Sequence, residues 1–230
     1  MAVVGLIAAF LIVGDTKGAS PATQQPRGSR QITPTLRVDF DQRVVILDAH
    51  VVFRDGPLEL LLCPIGTKEH ESVLAADIEP KTFQLALLLV GANPGRPARF
   101  ETRRADDGSF VNRVDPPEGQ KIKVWVQWRD KGRLRFTDGR NWVRDIHSNR
   151  PLAADFVFAG SGFARLPGVD RPVFLGNDGD LVCVANFPGA IVDVAVRSSP
   201  DNSERLFEAN TERIPPLGTR VQVIFEPLGD

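Results

Sequence analysis

Two cysteines among 230 residues and a net charge of −1 set the first limits on this chain. Neither cysteine belongs to a zinc-knuckle spacing, and no HExxH, Walker loop or dinucleotide fingerprint occurs. A near-neutral balance, with pI about 6.3, argues against a nucleic-acid binder, which normally carries a basic face. It also gives no reason for strong attraction to anionic lipid. No apolar run reaches the roughly 20 residues that span a membrane. There is no internal repeat and no alternation of strand and helix patterns, so a parallel α/β fold is not expected.

What remains is an ordinary globular composition, 42% hydrophobic and 25% charged, long enough for a real core. Eighteen prolines and twenty glycines spread along the chain imply many turns and short strands. At the start, Ala2 to Gly14 is an apolar run followed by Asp15, Thr16 and Lys17. It is too short to span a membrane and matches the apolar core of a secretory signal peptide, with small residues near Ala19 and Ala22 for cleavage. The usual Lys or Arg before such a run is missing. Residues 1–22 therefore read as a signal peptide, 23–35 as a flexible linker rich in Pro, Gln, Arg and Ser, and 36–230 as a single domain.

The domain is organised around Leu58 to Gly95. An apolar strand ends at Pro64 and Gly66, a polar corner follows at Thr67-Lys68-Glu69-His70-Glu71, and a second apolar strand runs from Ser72. Pro80 suits a first helical turn and Gly91 a left-handed stop. Between them Phe83 to Val90 is almost wholly apolar, which predicts a helix covered on every side. Leu36 to Phe40 and Arg43 to Phe53 read as strands. Lys121 to Trp128 alternates with period two and turns through Asp130-Lys131-Gly132 into a hairpin partner. Arg96 to Gly119 reads as a long loop, and Gly176 to Asp180 as the turn of a hairpin. The expected class is α+β, mainly an antiparallel sheet of about ten short strands with one buried central helix.

Few side chains suggest chemistry. Cys63 and Cys183 each follow aliphatic residues and read either as buried thiols or as a disulfide. A nucleophilic Cys63 with His70 as its base is a third option. If the corner is extended, Lys68, His70 and Ser72 project to one side, with Glu69 and Glu71 on the other. That carboxylate pair suits a cation or acid–base work, although His70 would point away from it. The bland alternative is a solvated corner. His50 and His147 read as structural, and Asn177, Asp178 and Asp180 as turn residues lacking the rest of a calcium loop. Gly160-Ser161-Gly162 marks a bulge or a close backbone contact. Of the three tryptophans, Trp128 shares the apolar face and reads as core, whereas Trp125 is the one to form an exposed platform.

Several stretches together resemble the YdjY-type domain of exported bacterial proteins, a family whose function is uncharacterised. They are Leu62-Cys63-Pro64 with Thr67 to Ser72, Ala86-Leu87-Leu88 to Gly91, Phe158-Ala159-Gly160-Ser161, Gly179 to Pro188, and Thr211 to Pro216. The resemblance implies an extracytoplasmic location and brings no catalytic residues. It directs attention to the corner and to the Asn186-Phe187-Pro188 turn as a shared surface.

The expectation is thus an exported, periplasmic or extracellular binding or interaction module with no cofactor. Its binding residues would be Lys68, Glu69, His70, Glu71 and Asn186, and its partner a small molecule or a protein. The alternatives are a hydrolase or transferase using Cys63 and His70, and a metal-binding protein using Glu69, His70 and Glu71.

Overall fold

A computed structural model describes residues 27–104, 107–108, 110–198 and 206–229. The expected signal peptide, and the linker up to residue 26, lie outside the described residues. Residues expected to continue the linker form a strand instead: β1 (Ser29–Gln31) pairs antiparallel with β2 (Leu36–Asp39).

The chain continues through β3 (Val44–Val51), β4 (Leu60–Pro64) and β5 (Ser72–Ala76) to helix α1 (Pro80–Leu89). Next come a two-stranded ribbon, β6 (Arg99–Arg104) with β7 (Phe110–Asp115), and the long hairpin β8 (Gln120–Asp130) with β9 (Arg133–Asp138). Short elements follow: β10 (Val143–Asp145), β11 (Arg150–Pro151), β12 (Phe156–Phe158), β13 (Phe163–Ala164) and β14 (Val173–Phe174). The last four are β15 (Val182–Cys183), β16 (Val192–Val194), β17 (Phe207–Ala209) and β18 (Arg220–Pro227).

Eight of these strands close on themselves in the order β3-β18-β8-β12-β16-β15-β4-β5, with β5 returning to β3. The architecture is α+β and rich in sheet, but the sheet is a closed barrel. Pairing is antiparallel except at β4–β5 and β15–β16. Closure was not foreseeable from period-two patterns, because it depends on β3 dividing one edge between two partners. Val44 to Leu47 pairs with β2, while His50 and Val51 pair with β5.

The strand patterns show which side is inside. Along β18, Val221, Val223 and Phe225 are buried while Gln222, Ile224 and Glu226 are half-buried. In β8, Ile122, Val124 and Val126 take the interior, opposite Lys123, Trp125 and Gln127. Two aromatic plugs meet this stripe at its ends. Phe83 packs edge-on to Phe225 at 4.8 Å, and the buried Trp142 packs against Trp128 at 5.4 Å. In β4 and β5 every residue is buried, so both faces of that pair are covered, as continuous apolar strands require.

Helix α1 corrects one expectation. Phe83, Ala86 and Leu87 enter the core, but Leu85, Leu88 and Leu89 are 53%, 42% and 43% exposed. The helix lies on the surface with a buried stripe at i, i+3, i+4 spacing, and its leucine-rich composition hid that stripe. Gly91, at φ +79°, ends it, and Arg43 donates hydrogen bonds to the Val90 and Gly91 carbonyls left open there. The long loop expected at Arg96 to Gly119 is in fact the β6–β7 ribbon. Every residue of β6 is exposed, so no alternation marks it. Gly160, at φ +76°, sits where an added Cβ would lie 2.6 Å from Pro94, a close contact.

Candidate functional site

The corner after β4 is not extended. Pro64 ends the strand, Gly66 adopts φ +78°, and Glu69–Glu71 forms one turn of 3-10 helix. The two-sided arrangement of Lys68 and His70 against Glu69 and Glu71 therefore does not arise. Glu69 Oε1 accepts the Gly66 N–H at 3.0 Å and Thr67 Oγ1 donates to the Pro64 carbonyl at 2.7 Å, so both side chains tie the turn together. The His70 side chain is 77% exposed, with Nε2 3.7 Å from Glu71 Oε2. Lys68 and Glu71 turn inward, their side chains 22% and 15% exposed. Lys68 Nζ donates to Asp180 Oδ1 at 2.7 Å and lies 4.0 Å above the centre of the Phe187 ring.

The partner segment does not form the expected hairpin. Leu175–Asp178 is a 3-10 turn capped by Gly179 at φ +105°, and its flanking strands pair elsewhere, β14 with β13 and β15 with β4 and β16. A turn does form there, and it packs directly on the corner. A Cβ on Gly179 would approach Thr67 Oγ1 to 2.9 Å, and one on Gly189 would approach Asp180 Oδ2 to 2.9 Å. Corner and turn, which the sequence presented as separate surfaces, form one junction.

Beneath the junction, Leu60, Cys63, Ala75, Cys183 and Ala190 make a small apolar cluster. Both thiols are free and buried. Cys183 pairs with Leu60, three residues along β4 from Cys63; that is about 10 Å of strand, beyond the reach of a disulfide. Burial pushes the Cys63 thiol up, against hydrogen bonds with Ser72, Thr67 and the Lys68 backbone. No histidine is among those groups. Burial likewise pushes Cys183 well up, helped by Asp180 and Asp193. Among the described residues, no three His, Cys, Asp or Glu side chains come together as a metal site, so Glu69, His70 and Glu71 do not form one.

Asn186 is not a surface residue; it is fully buried. Its Nδ2 donates to Asp193 Oδ1 at 3.2 Å and to the Val194 carbonyl, and its Oδ1 accepts the Ser198 N–H at 2.8 Å. Asp193, also fully buried, is pushed well above the usual carboxylate range by desolvation, which outweighs Asn186 and the nearby backbone N–H groups. Among the described residues its Oδ2 lacks a partner at hydrogen-bonding geometry. Burial also raises Asp180, with Lys68 offsetting part of the effect. Lys68 is itself raised, because its pairing with Asp180 outweighs its own desolvation. Asp193 escaped the sequence reading, Asp180 was read only as a turn residue, and Phe187 only as part of a surface turn. The available signal was an Asp directly flanking or interrupting an apolar run, at Asp180-Leu181 and Val192-Asp193-Val194.

A groove of about 1130 Å³ opens elsewhere, across β3, β18 and β8. Its floor is a ladder of side chains on three neighbouring strands. Gln127 Nε2 donates to Gln222 Oε1 at 2.7 Å, and Gln222 Nε2 donates to Asp48 Oδ1 at 2.8 Å. The groove is also lined by Trp128 and by Leu134 of β9, and it reaches Ile65 at the start of the corner. Leu134 and Ile65 are 62% and 51% exposed. His50, expected to be structural, lines the groove as well. Trp125 is not part of it: its ring stacks on Phe136 and its Nε1 donates to Glu226. The sequence reading missed the groove because Asp48, Gln127 and Gln222 are far apart in the chain and meet only through strand register.

Comparison with known proteins gives one match. A family model described as the YdjY domain fits residues 36–226. No curated protein and no solved structure matches the chain.

Proposed function

The chain belongs to the YdjY domain family, and from the geometry of this member we propose that it is an exported, non-catalytic binding module that works through the groove. The observation carrying this reading is the contrast between two polar regions. At the junction the reactive groups are already engaged: Lys68 holds Asp180, Glu69 caps its own turn, and Asn186 is buried with its own partners. Along the groove, donors and acceptors stand on rigid strands beside exposed apolar side chains, the combination that a binding site needs.

A Cys63–His70 enzyme finds little support. A nucleophilic cysteine needs a lowered pKa or an adjacent base, and Cys63 is raised by burial while His70 faces solvent. Export rests on the apolar run Ala2 to Gly14 and the small residues after it. Among the described residues no helix is long and apolar enough to cross a membrane.

A nuclear magnetic resonance screen of small neutral fragments tests the groove assignment. Weak binders should gather at Gln127, Trp128 and Gln222. Fragments that gather at residues 67–72 instead would move the function to the corner.

A further inference from the structure

We propose that the groove takes a neutral oligosaccharide; this deepens the binding-module reading and rests on it. Three features of the groove point to this ligand class.

The first is charge. Asp48 and Asp77 are balanced by Arg129 and Arg220 along the lining. A groove without net charge gives no electrostatic advantage to an anionic or cationic ligand.

The second is the way the floor presents hydrogen-bonding groups. In the Gln127–Gln222–Asp48 ladder each amide spends one N–H on its neighbour. That leaves the second N–H of each glutamine, Gln127 Oε1 and Asp48 Oδ2 for a ligand. Donors and acceptors therefore alternate over two inter-strand spacings, about 10 Å. A hydroxyl both donates and accepts, so a row of sugar hydroxyls complements this floor without leaving a group of either kind unpaired. Leu134 and Ile65, 62% and 51% exposed, supply apolar surface for the C–H faces of the rings.

The third is backbone pairing, which separates a saccharide from an extended peptide. Peptides commonly bind a sheet by adding a strand to a free edge. Here β3 lies between β18 and the β2/β5 pair, β18 between β3 and β8, and β8 between β18 and the β9/β12 pair. The floor offers no strand edge, only side chains. Recognition must go through the ladder.

The test is a titration of the folded chain with cellohexaose, xylohexaose, chitohexaose and maltohexaose. Oligogalacturonate and a neutral decapeptide serve as competitors in class. The readout is the Trp128 indole N–H together with the side-chain amides of Gln127 and Gln222. The proposal expects at least one neutral oligosaccharide to shift these signals saturably. Gln222→Leu, on the outer face, should weaken that binding at least tenfold while circular dichroism stays unchanged. Gln127→Ala supplies the same test if Gln222→Leu does not fold. Three results overturn the proposal: no neutral oligosaccharide binding up to about 10 mM, binding by the acidic oligomer or the peptide alone, or affinity undiminished in the folded variant. If fragments occupy the groove but sugars do not, only the ligand class falls. If neither does, the groove reading falls with it.

Discussion

Asp193→Asn is the substitution whose consequence the structure specifies most fully. Oδ1 of Asp193 accepts from Asn186 Nδ2 and from the Val194 N–H at 2.8 Å, while among the described residues Oδ2 has no partner at hydrogen-bonding geometry. An asparagine oxygen can keep both accepted bonds, and any cost of its amide nitrogen near the Phe187 N–H does not change with pH. What changes is titration. Burial raises the folded pKa of Asp193 well above its ordinary 3.8, so the folded chain keeps this proton after the unfolded chain has lost it. The associated stability is complete below that ordinary value and is lost as pH rises through the folded pKa. The slope in that window is about 1.4 kcal/mol per pH unit, or roughly 3–6 °C in Tm for a domain of this size. Asp180, also raised by burial, slopes the same way, so the difference between wild type and variant isolates Asp193. Thermal unfolding followed by circular dichroism from about pH 4 to about pH 8 should show a flatter profile for Asp193→Asn, with its advantage growing toward neutrality. Parallel profiles would refute the reasoning, since they would mean that the carboxyl ionises in the folded protein as freely as in water.

The remaining predictions concern the junction and the helix. Lys68→Met leaves Asp180, whose side chain is 4% exposed, without its cation. It should cost about 3 kcal/mol, and adding Asp180→Asn should restore most of the loss; equal stability of wild type and Lys68→Met in denaturant titrations would contradict the pairing. Leu87→Asp buries an unpaired charge and should unfold the domain, whereas Leu85→Asp, at a position 53% exposed, should shift stability by no more than about 0.5 kcal/mol. Melting curves that reverse this order would mean the helix presents its other face to the core. Neither Cys63 nor Cys183 should react with an aromatic disulfide reagent at neutral pH until the chain is unfolded, when both should; rapid labelling of Cys63 in the folded protein would reopen the nucleophile reading.

The long strands were legible because their neighbours made them so. Val221, Val223 and Phe225 alternate with half-buried residues, and the same holds around Val124 and Val126, so period two survives in the sequence. Two-residue strands such as Val182–Cys183 carry no period, although this one is a barrel strand between β16 and β4. The site was harder still. Lys68 looked like one charge among several at a solvated corner, yet it is turned inward, because Asp180 lies 112 positions away in the chain and opposite it in space. Asn186 looked like a surface turn residue because Gly, Pro and Asn cluster there. Its burial follows from Asp193 and Ser198, which offer it bonding partners. The groove depends wholly on register: Asp48 faces Gln222, and Gln222 faces Gln127. A single-residue slip of either pairing would turn those side chains to the other face.

The central claim, that this domain binds through the groove while the corner serves the fold, can be read in one spectrum. The chain has three tryptophans, and each reports on a different place. Trp142 is buried in the core, Trp125 is bonded to Glu226 outside the groove, and Trp128 lines it. The indole N–H signals should be recorded during a fragment or oligosaccharide titration, together with the side-chain amides of Gln127 and Gln222 and the backbone amides of residues 67–72. The account predicts saturable shifts of the two glutamine amides, with Trp125 and the corner amides unmoved; any shift at Trp128 is passed on to Trp142, whose ring packs against it. A shift of the corner amides with Gln127 and Gln222 unmoved would contradict it.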